Sequence, residues 1–262
     1  MLELLKLRWG KMSKIKELGK WDRALMGAKL SALAYKNEKQ VVDGAKKLGF
    51  PWAKLISRDG AEVLVAKDRN DLWFAFRGTE PSKLNDVMAD LNVIKNSATA
   101  GGKVHSGFQK EVNDLWLDIV AELEHNDQLK TRKDVYFTGH SLGAAMATIA
   151  STRYPQAQEL FTFGSPRVGG KHFIKNITVP HTRFMNNNDI VCRIPPAWLG
   201  FRHHGEMVYF DRNGDAQHKP TWADLFYGIL NSWKRFKFFD GIVDHGIPNY
   251  VRAINRLKKG DK

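Results

Sequence analysis

Apolar positions recur along the chain with two periods, and the changes from one to the other mark out the elements. Within residues 21–35, Ala24, Leu25, Ala28, Ala32 and Leu33 share a helical face and predict a packed helix. Residues 62–66 and Asp71–Phe76 are short apolar runs on either side of Asp68-Arg69-Asn70, the pattern of a strand–turn–strand hairpin. Val112, Leu115, Trp116, Ile119, Val120 and Leu123 restore the helical period over a long segment. Four residues of strand chemistry follow, Val135 to Thr138, and run into Gly139-His140-Ser141-Leu142-Gly143 and an alanine-rich helix former. Glu159–Phe163, residues 181–185 and Glu206–Phe210 read as later strands, the last closed by a turn over 211–215. Strands alternating with helices in this order predict an α/β fold with a central, mostly parallel sheet flanked by helices.

Three stretches fit the pattern less simply. In residues 1–20, Leu2, Leu5, Trp9 and Met12 fall at helical spacing among lysines, a basic amphipathic extension readable as a surface-seeking helix, a docked terminal helix or a ragged end. Leu84, Val87, Met88 and Leu91 stand at i, i+3, i+4 and i+7 with Lys83, Asn85, Asp86 and Asp90 between them. That is a short amphipathic helix, which either covers a site and swings outward at a lipid surface or packs permanently on the core. Trp222, Leu225, Phe226, Ile229, Leu230 and Trp233 form a bulky stripe followed by interleaved cations and aromatics over 234–239, readable as core or as a wall facing substrate or an interface.

Composition sets bounds on these elements. A chain of 262 residues, 43% hydrophobic and 26% charged, fits one large domain over 21–262 behind the extension 1–20. The single cysteine, Cys192, excludes an intrachain disulfide. Lys6, Arg8, Lys11, Lys14 and Lys16 interrupt any apolar h-region, so no cleavable signal peptide is expected; a cytoplasmic location and signal-independent export both stay open. The net charge of +13 suggests attraction to polyanions. No zinc-finger spacing or aromatic RNA-binding motif accompanies it, so nucleic acid is not an expected partner, whereas an anionic lipid surface stays open beside a generally basic exterior.

The chemistry centres on residues 134–148. A Gly-x-Ser-x-Gly turn between a strand and a helix forces the serine into a strained conformation that presents its hydroxyl at the carboxyl end of the strand. Ser141 is therefore the candidate nucleophile, and the Leu142 N–H, opening the next helix, is a candidate oxyanion donor. A second donor usually comes from the end of another strand. Thr79, in Arg77-Gly78-Thr79 directly after Asp71–Phe76, stands at such a place, although a simple turn explains that tripeptide as well. A triad carboxylate belongs at the end of a strand after the nucleophile strand, where Asp189 lies; the base belongs in a late loop, where His245 lies. Asp244 adjoins His245 too closely in sequence for the two side chains to face each other. Gly164 to Lys171 resembles a phosphate loop but fails the Walker spacing. His203 and His204 lack a third ligand, so no metal or other cofactor is expected.

Taken in order, FAFRGT (74–79), ADL (89–91), VHSGF (104–108), TGHSLGAAMA (138–147), TFGSPRVG (162–169), NNNDIVCRIPP (186–196) and DHGIPNY (244–250) resemble the class 3 lipase family, the fungal-type triacylglycerol lipases of the α/β-hydrolase superfamily. The resemblance runs from about residue 32 to residue 250. It implies a triad of Ser141, Asp189 and His245, an oxyanion hole of Thr79 and Leu142, and a helical lid over about 80–92 with Leu84, Val87, Met88 and Leu91 on its apolar face. The implied enzyme is a serine hydrolase acting on acylglycerols at an oil–water or membrane interface; a monomer is expected, although the sequence leaves the oligomeric state open. A phospholipase A1 on anionic membranes and a short-chain carboxylesterase are the alternatives. The chain departs from the family's secreted members in having no disulfide, and its lid segment lacks a bulky aromatic.

Overall fold

The computed structural model describes residues 19–80, 94–129, 132–217 and 244–260. The expected N-terminal extension, the lid positions Leu84, Val87, Met88 and Leu91, and the stripe over 222–239 therefore lie almost entirely outside the described residues.

Among the described residues, eight strands form one sheet in the order β1–β2–β3–β6–β7–β8–β9–β10. They are β1 (Trp52–Arg58), β2 (Ala61–Lys67), β3 (Asp71–Phe76), β6 (Asp134–His140), β7 (Glu159–Phe163), β8 (His181–Asn186), β9 (Glu206–Phe210) and β10 (Ala216–Gln217). β4 (Lys95–Ser97) and β5 (Lys103–His105) form a separate small hairpin. The five strands from β3 to β9 run parallel, and antiparallel strands close both edges. This is the α/β-hydrolase arrangement.

The central strands are buried on both faces, which is why they read as continuous apolar runs rather than alternating ones. Every residue of β3 is buried, as are Val135 to His140 of β6. Phe74 stacks on Phe137 at 5.3 Å on one face, and Trp73 stacks on Tyr136 at 4.4 Å on the other. Each such side chain contributes roughly 1.5–3 kcal/mol through burial.

Helices cover both faces. α3 (Ser106–Asp127) lays Phe108, Val112, Leu115, Ile119 and Leu123 on one of them. α4 (Leu142–Arg153) lies on the same face, and its first ten residues are all buried, so small side chains such as Ala144, Ala145 and Ala147 let it sit close to the sheet. The other face is covered by α1 (Lys20–Leu33), α2 (Glu38–Lys47) and α6 (Ile247–Gly260). A five-residue helix, α5 (Lys171–Lys175), closes the loop after β7.

The β2–β3 hairpin, the α1 helix, the α3 stripe and the strands β6 to β9 stand where the apolar pattern puts them. β1 and α2 are additions to that reading. In α2 the buried positions are Val41 and Ala45, too few for a stripe, and β1 is an edge strand mostly half-buried or exposed.

Candidate active site

The site is assembled at the carboxyl ends of the parallel strands, and the turn after β6 dictates its position. Ser141 has φ 60° and ψ −131°, a left-handed conformation that costs a non-glycine residue on the order of 1–3 kcal/mol. Two glycines make the turn possible by close approach. A Cβ on Gly139 would stand 2.3 Å from the Gly143 carbonyl oxygen, and one on Gly143 would stand 2.2 Å from that of Phe76. The second contact presses the elbow onto the end of β3.

Asp189 and His245 arrive from two distant segments. β8 ends at Asn186, and the chain turns through Asn187, at φ 34°, to put Asp189 at the base of a 3-10 turn, Val191–Arg193. His245 precedes α6, whose Tyr250 is fully buried. Its Nδ1–H donates to both Asp189 carboxylate oxygens at 2.9 Å, and the pair is closed off from solvent. Asp189 also accepts from the Tyr250 hydroxyl and, at 2.9 Å, from the Val191 N–H. Burial alone would push this carboxyl up. The charge of His245 and the hydrogen bonds from His245 and Tyr250 outweigh it and hold the group below the usual carboxylate range. The loop after β7 seals the pair, since a Cβ at Gly164 would lie 2.7 Å from Asp189 Oδ2 and 2.8 Å from His245.

Ser141 Oγ and His245 Nε2 are both buried and have no hydrogen-bond partner among the described residues. Leaving polar atoms so costs free energy in the resting protein. Here the two orphans are a hydroxyl and the imidazole nitrogen on the side away from Asp189, the groups that proton transfer during acyl attack would use.

A second network supports this one from beneath. His140 Nε2–H donates to the His245 carbonyl at 2.7 Å, leaving Nδ1 to accept from the Tyr35 hydroxyl at 2.8 Å. The Tyr35 oxygen in turn takes the Gly78 N–H. Burial, with the neighbouring His245 ring 4.5 Å away, drives the His140 pKa down to about 3, so His140 is neutral. One chain of hydrogen bonds thus joins the end of α1, the elbow, the backbone of His245 and the loop after β3.

That loop carries Thr79. Gly78 packs on the elbow, where an added Cβ would be 3.0 Å from Ser141 Cβ. The Arg77 guanidinium bridges Glu62 on one side and Glu80 on the other, anchoring the approach to Thr79. Thr79 is half-buried and borders an open cleft of about 300 Å³ with Arg77, Glu80, Glu111 and Met146. Leu142 opens α4, so its N–H belongs to a first turn that has no carbonyl of its own helix to bind.

The other sequence candidates fall elsewhere. Asp244 Oδ2 accepts from Asn187 Nδ2 at 3.0 Å and from the Asn188 N–H at 3.3 Å, bracing the turn before Asp189. His203 Nε2 donates to the Cys192 carbonyl, and His204 Nδ1 meets His181 Nδ1 at 3.1 Å, so the two adjacent rings serve different partners. No group of three or more metal-ligating side chains occurs among the described residues, and no helix among them is long and apolar enough to cross a membrane. Three residues of the site escape the sequence reading: Tyr35, His140 and Tyr250. His140 stands beside Ser141 inside the elbow motif and Tyr250 closes the DHGIPNY stretch, whereas Tyr35 carries no signal.

Residues 73–198 match the family model described as Lipase (class 3). The lipase of Rhizomucor miehei is 30% identical over 187 residues, 66% of this chain and 51% of that protein. A secreted mono- and diacylglycerol lipase of Malassezia globosa is 30% identical over 191 residues, 65% of this chain and 63% of that one. Among solved structures, a fungal lipase–inhibitor complex described as a model for interfacial activation superposes with a TM-score of 0.62 at 26% identity, covering 75% of this chain and 82% of that one. The chain spans about half the length of the first curated relatives it matches.

Proposed function

The chain belongs to the class 3 lipase family through residues 73–198, and on that premise we propose that it hydrolyses carboxylic esters of acylglycerols through an acyl-enzyme. The observation that carries the reading is the buried His245–Asp189 pair beside a strained Ser141 at the carboxyl edge of the sheet. His245 Nε2 takes the Ser141 proton as Oγ attacks the ester carbonyl, then passes it to the leaving alcohol. The same nitrogen next activates water, which releases the fatty acid and restores the serine. Asp189, kept anionic, holds the imidazole with Nδ1 protonated and stabilises the cation formed in each step. The Leu142 N–H and Thr79 receive the charge that develops on the carbonyl oxygen. No step calls on a metal or organic cofactor.

Acylglycerols are favoured over other esters because lipases, including a mono- and diacylglycerol lipase, stand among the relatives. Residues 80–92 are the proposed lid, in keeping with the interfacial activation described for a fungal relative. The test is hydrolysis of p-nitrophenyl esters of increasing chain length and of emulsified triglyceride, with Ser141→Ala alongside. The expected result is turnover of long-chain glyceride that rises when an interface forms, with a loss of about 10⁴-fold or more in the variant. Near-normal turnover by the variant, or no ester hydrolysis by the wild type, would overturn the proposal.

A further inference from the structure

Outside the catalytic centre, the molecule holds an apolar point on a cationic rim. Trp198 is 82% exposed and Ile94 is 54% exposed. Tryptophan is seldom left in water to this extent, and its ring belongs where one side is apolar and the other wet. Trp198 sits in the 3-10 turn Ala197–Leu199, and Ile94 immediately precedes Lys95. Lys95 Nζ donates to the Leu199 carbonyl at 2.6 Å and lies 4.3 Å from the Phe201 ring centre, so the two segments that carry these exposed side chains are joined at one rim.

The rim is rigidly tied to the candidate active site. The Arg202 N–H donates to the Gly169 carbonyl at 2.8 Å, and the Arg167 guanidinium holds the carbonyls of Arg193 and Pro195. Gly164, at the other end of that loop, touches Asp189 and His245.

Its charge is one-sided. Within residues 160–205 the cations that reach the surface are Lys171, Lys175, Arg193 and Arg202, against one acid, the buried Asp189, and residues 94–109 add Lys95 and Lys103 and no acid. Lys103, Lys171 and Arg202 are exposed on this side, where the Gly170 N–H binds the Lys103 carbonyl. A neutral oil surface would make no use of such a bias, whereas an anionic headgroup layer would, at a gain of about fivefold in affinity for each cation near the surface.

We infer that this rim docks the protein on an anionic phospholipid bilayer, with Trp198 and Ile94 inserted at the headgroup boundary and Arg202, Lys171 and Lys103 among the phosphates. The inference rests on the proposed ester-hydrolase reading in one respect, that the bilayer it docks on supplies the ester substrate.

Binding is measured apart from turnover by using Ser141→Ala chain throughout, sedimented with vesicles of phosphatidylcholine alone or with phosphatidylglycerol. The expected result is binding that needs the anionic lipid and weakens with added salt. W198E in that background should bind at least tenfold more weakly, W198A several-fold, and K171Q about fivefold. With Ser141 intact, W198E should hydrolyse a soluble short-chain ester as the wild type does, because Trp198 is exposed to solvent whereas the triad is buried. Equal binding to neutral and anionic vesicles, or unchanged binding by W198E, overturns the docking surface and leaves the hydrolase reading standing. Anionic binding that depends on Trp198 in a protein without esterase activity overturns the hydrolase reading and leaves the surface standing.

Discussion

Two aspartates with no exposed surface sit at opposite ends of the same sheet, Asp189 beyond the carboxyl end of β8 and Asp71 at the amino end of β3. Asp189 is wrapped by His245 Nδ1–H, the Tyr250 hydroxyl and the Val191 N–H, and is held below the usual carboxylate range. Neither carboxylate oxygen of Asp71 has a hydrogen-bond partner among the described residues. Burial, with Asp68 and Asp134 nearby, pushes Asp71 up to about 7. Burial is common to both, so it does not mark the functional acid. Donors aimed at the charged form do.

Neutralising each acid in turn separates the two most sharply. Asp189→Asn should lower kcat on a soluble ester by about 10⁴-fold, because His245 then loses the partner that fixes its tautomer and stabilises its cation. Asp71→Asn should leave kcat within about twofold. Equal losses in the two variants would show that the distinction drawn here is wrong.

The donors come next. Tyr250→Phe removes one charge-assisted hydrogen bond from Asp189 and should cost about tenfold in kcat with little change in KM. Its acid limb should move to higher pH, since the anion of Asp189 is then less favoured. Tyr35→Phe strands His140 Nδ1 and the Gly78 N–H, and a loss of about fivefold in kcat is expected. Full activity in Tyr35→Phe would mean that the His140 network carries no positioning load.

The legibility of the molecule follows the same divide between local and distant causes. The β6 elbow is readable because glycines, strand and helix act on one another within a dozen residues. Asp189 and His245 are readable by their order after Ser141. β1 and α2 escape because their buried positions are too few to make a stripe. Tyr35 and Tyr250 escape for another reason: each meets its partner across 105 and 61 residues respectively, and a tyrosine at a helix end carries no local sign of the hydrogen bond it will make.

The smallest effect concerns stability. The folded-state pKa of Asp71 lies above that of an unfolded aspartate, so the folded protein binds more protons between about pH 4 and 7. Stability contributed at this site therefore falls as pH rises through that window. Asp189 acts in the opposite sense, its contribution being lost as pH falls below the ordinary carboxylate range. Asp71→Asn should consequently raise Tm by about 3 °C at pH 8, equivalent to about 1 kcal/mol, and by less at pH 5. A gain that is the same at both pH values would contradict the assignment of a raised pKa to Asp71.

The most direct test of the account is covalent titration with a p-nitrophenyl alkylphosphonate, which traps a serine nucleophile in its tetrahedral state. Stoichiometric release of p-nitrophenolate is expected, with parallel loss of ester hydrolysis, the phosphonate on Ser141 by peptide mass mapping, and labelling far slower in Asp189→Asn. Hydrolysis that persists after complete labelling, or a label on any other residue with Ser141 untouched, would contradict it.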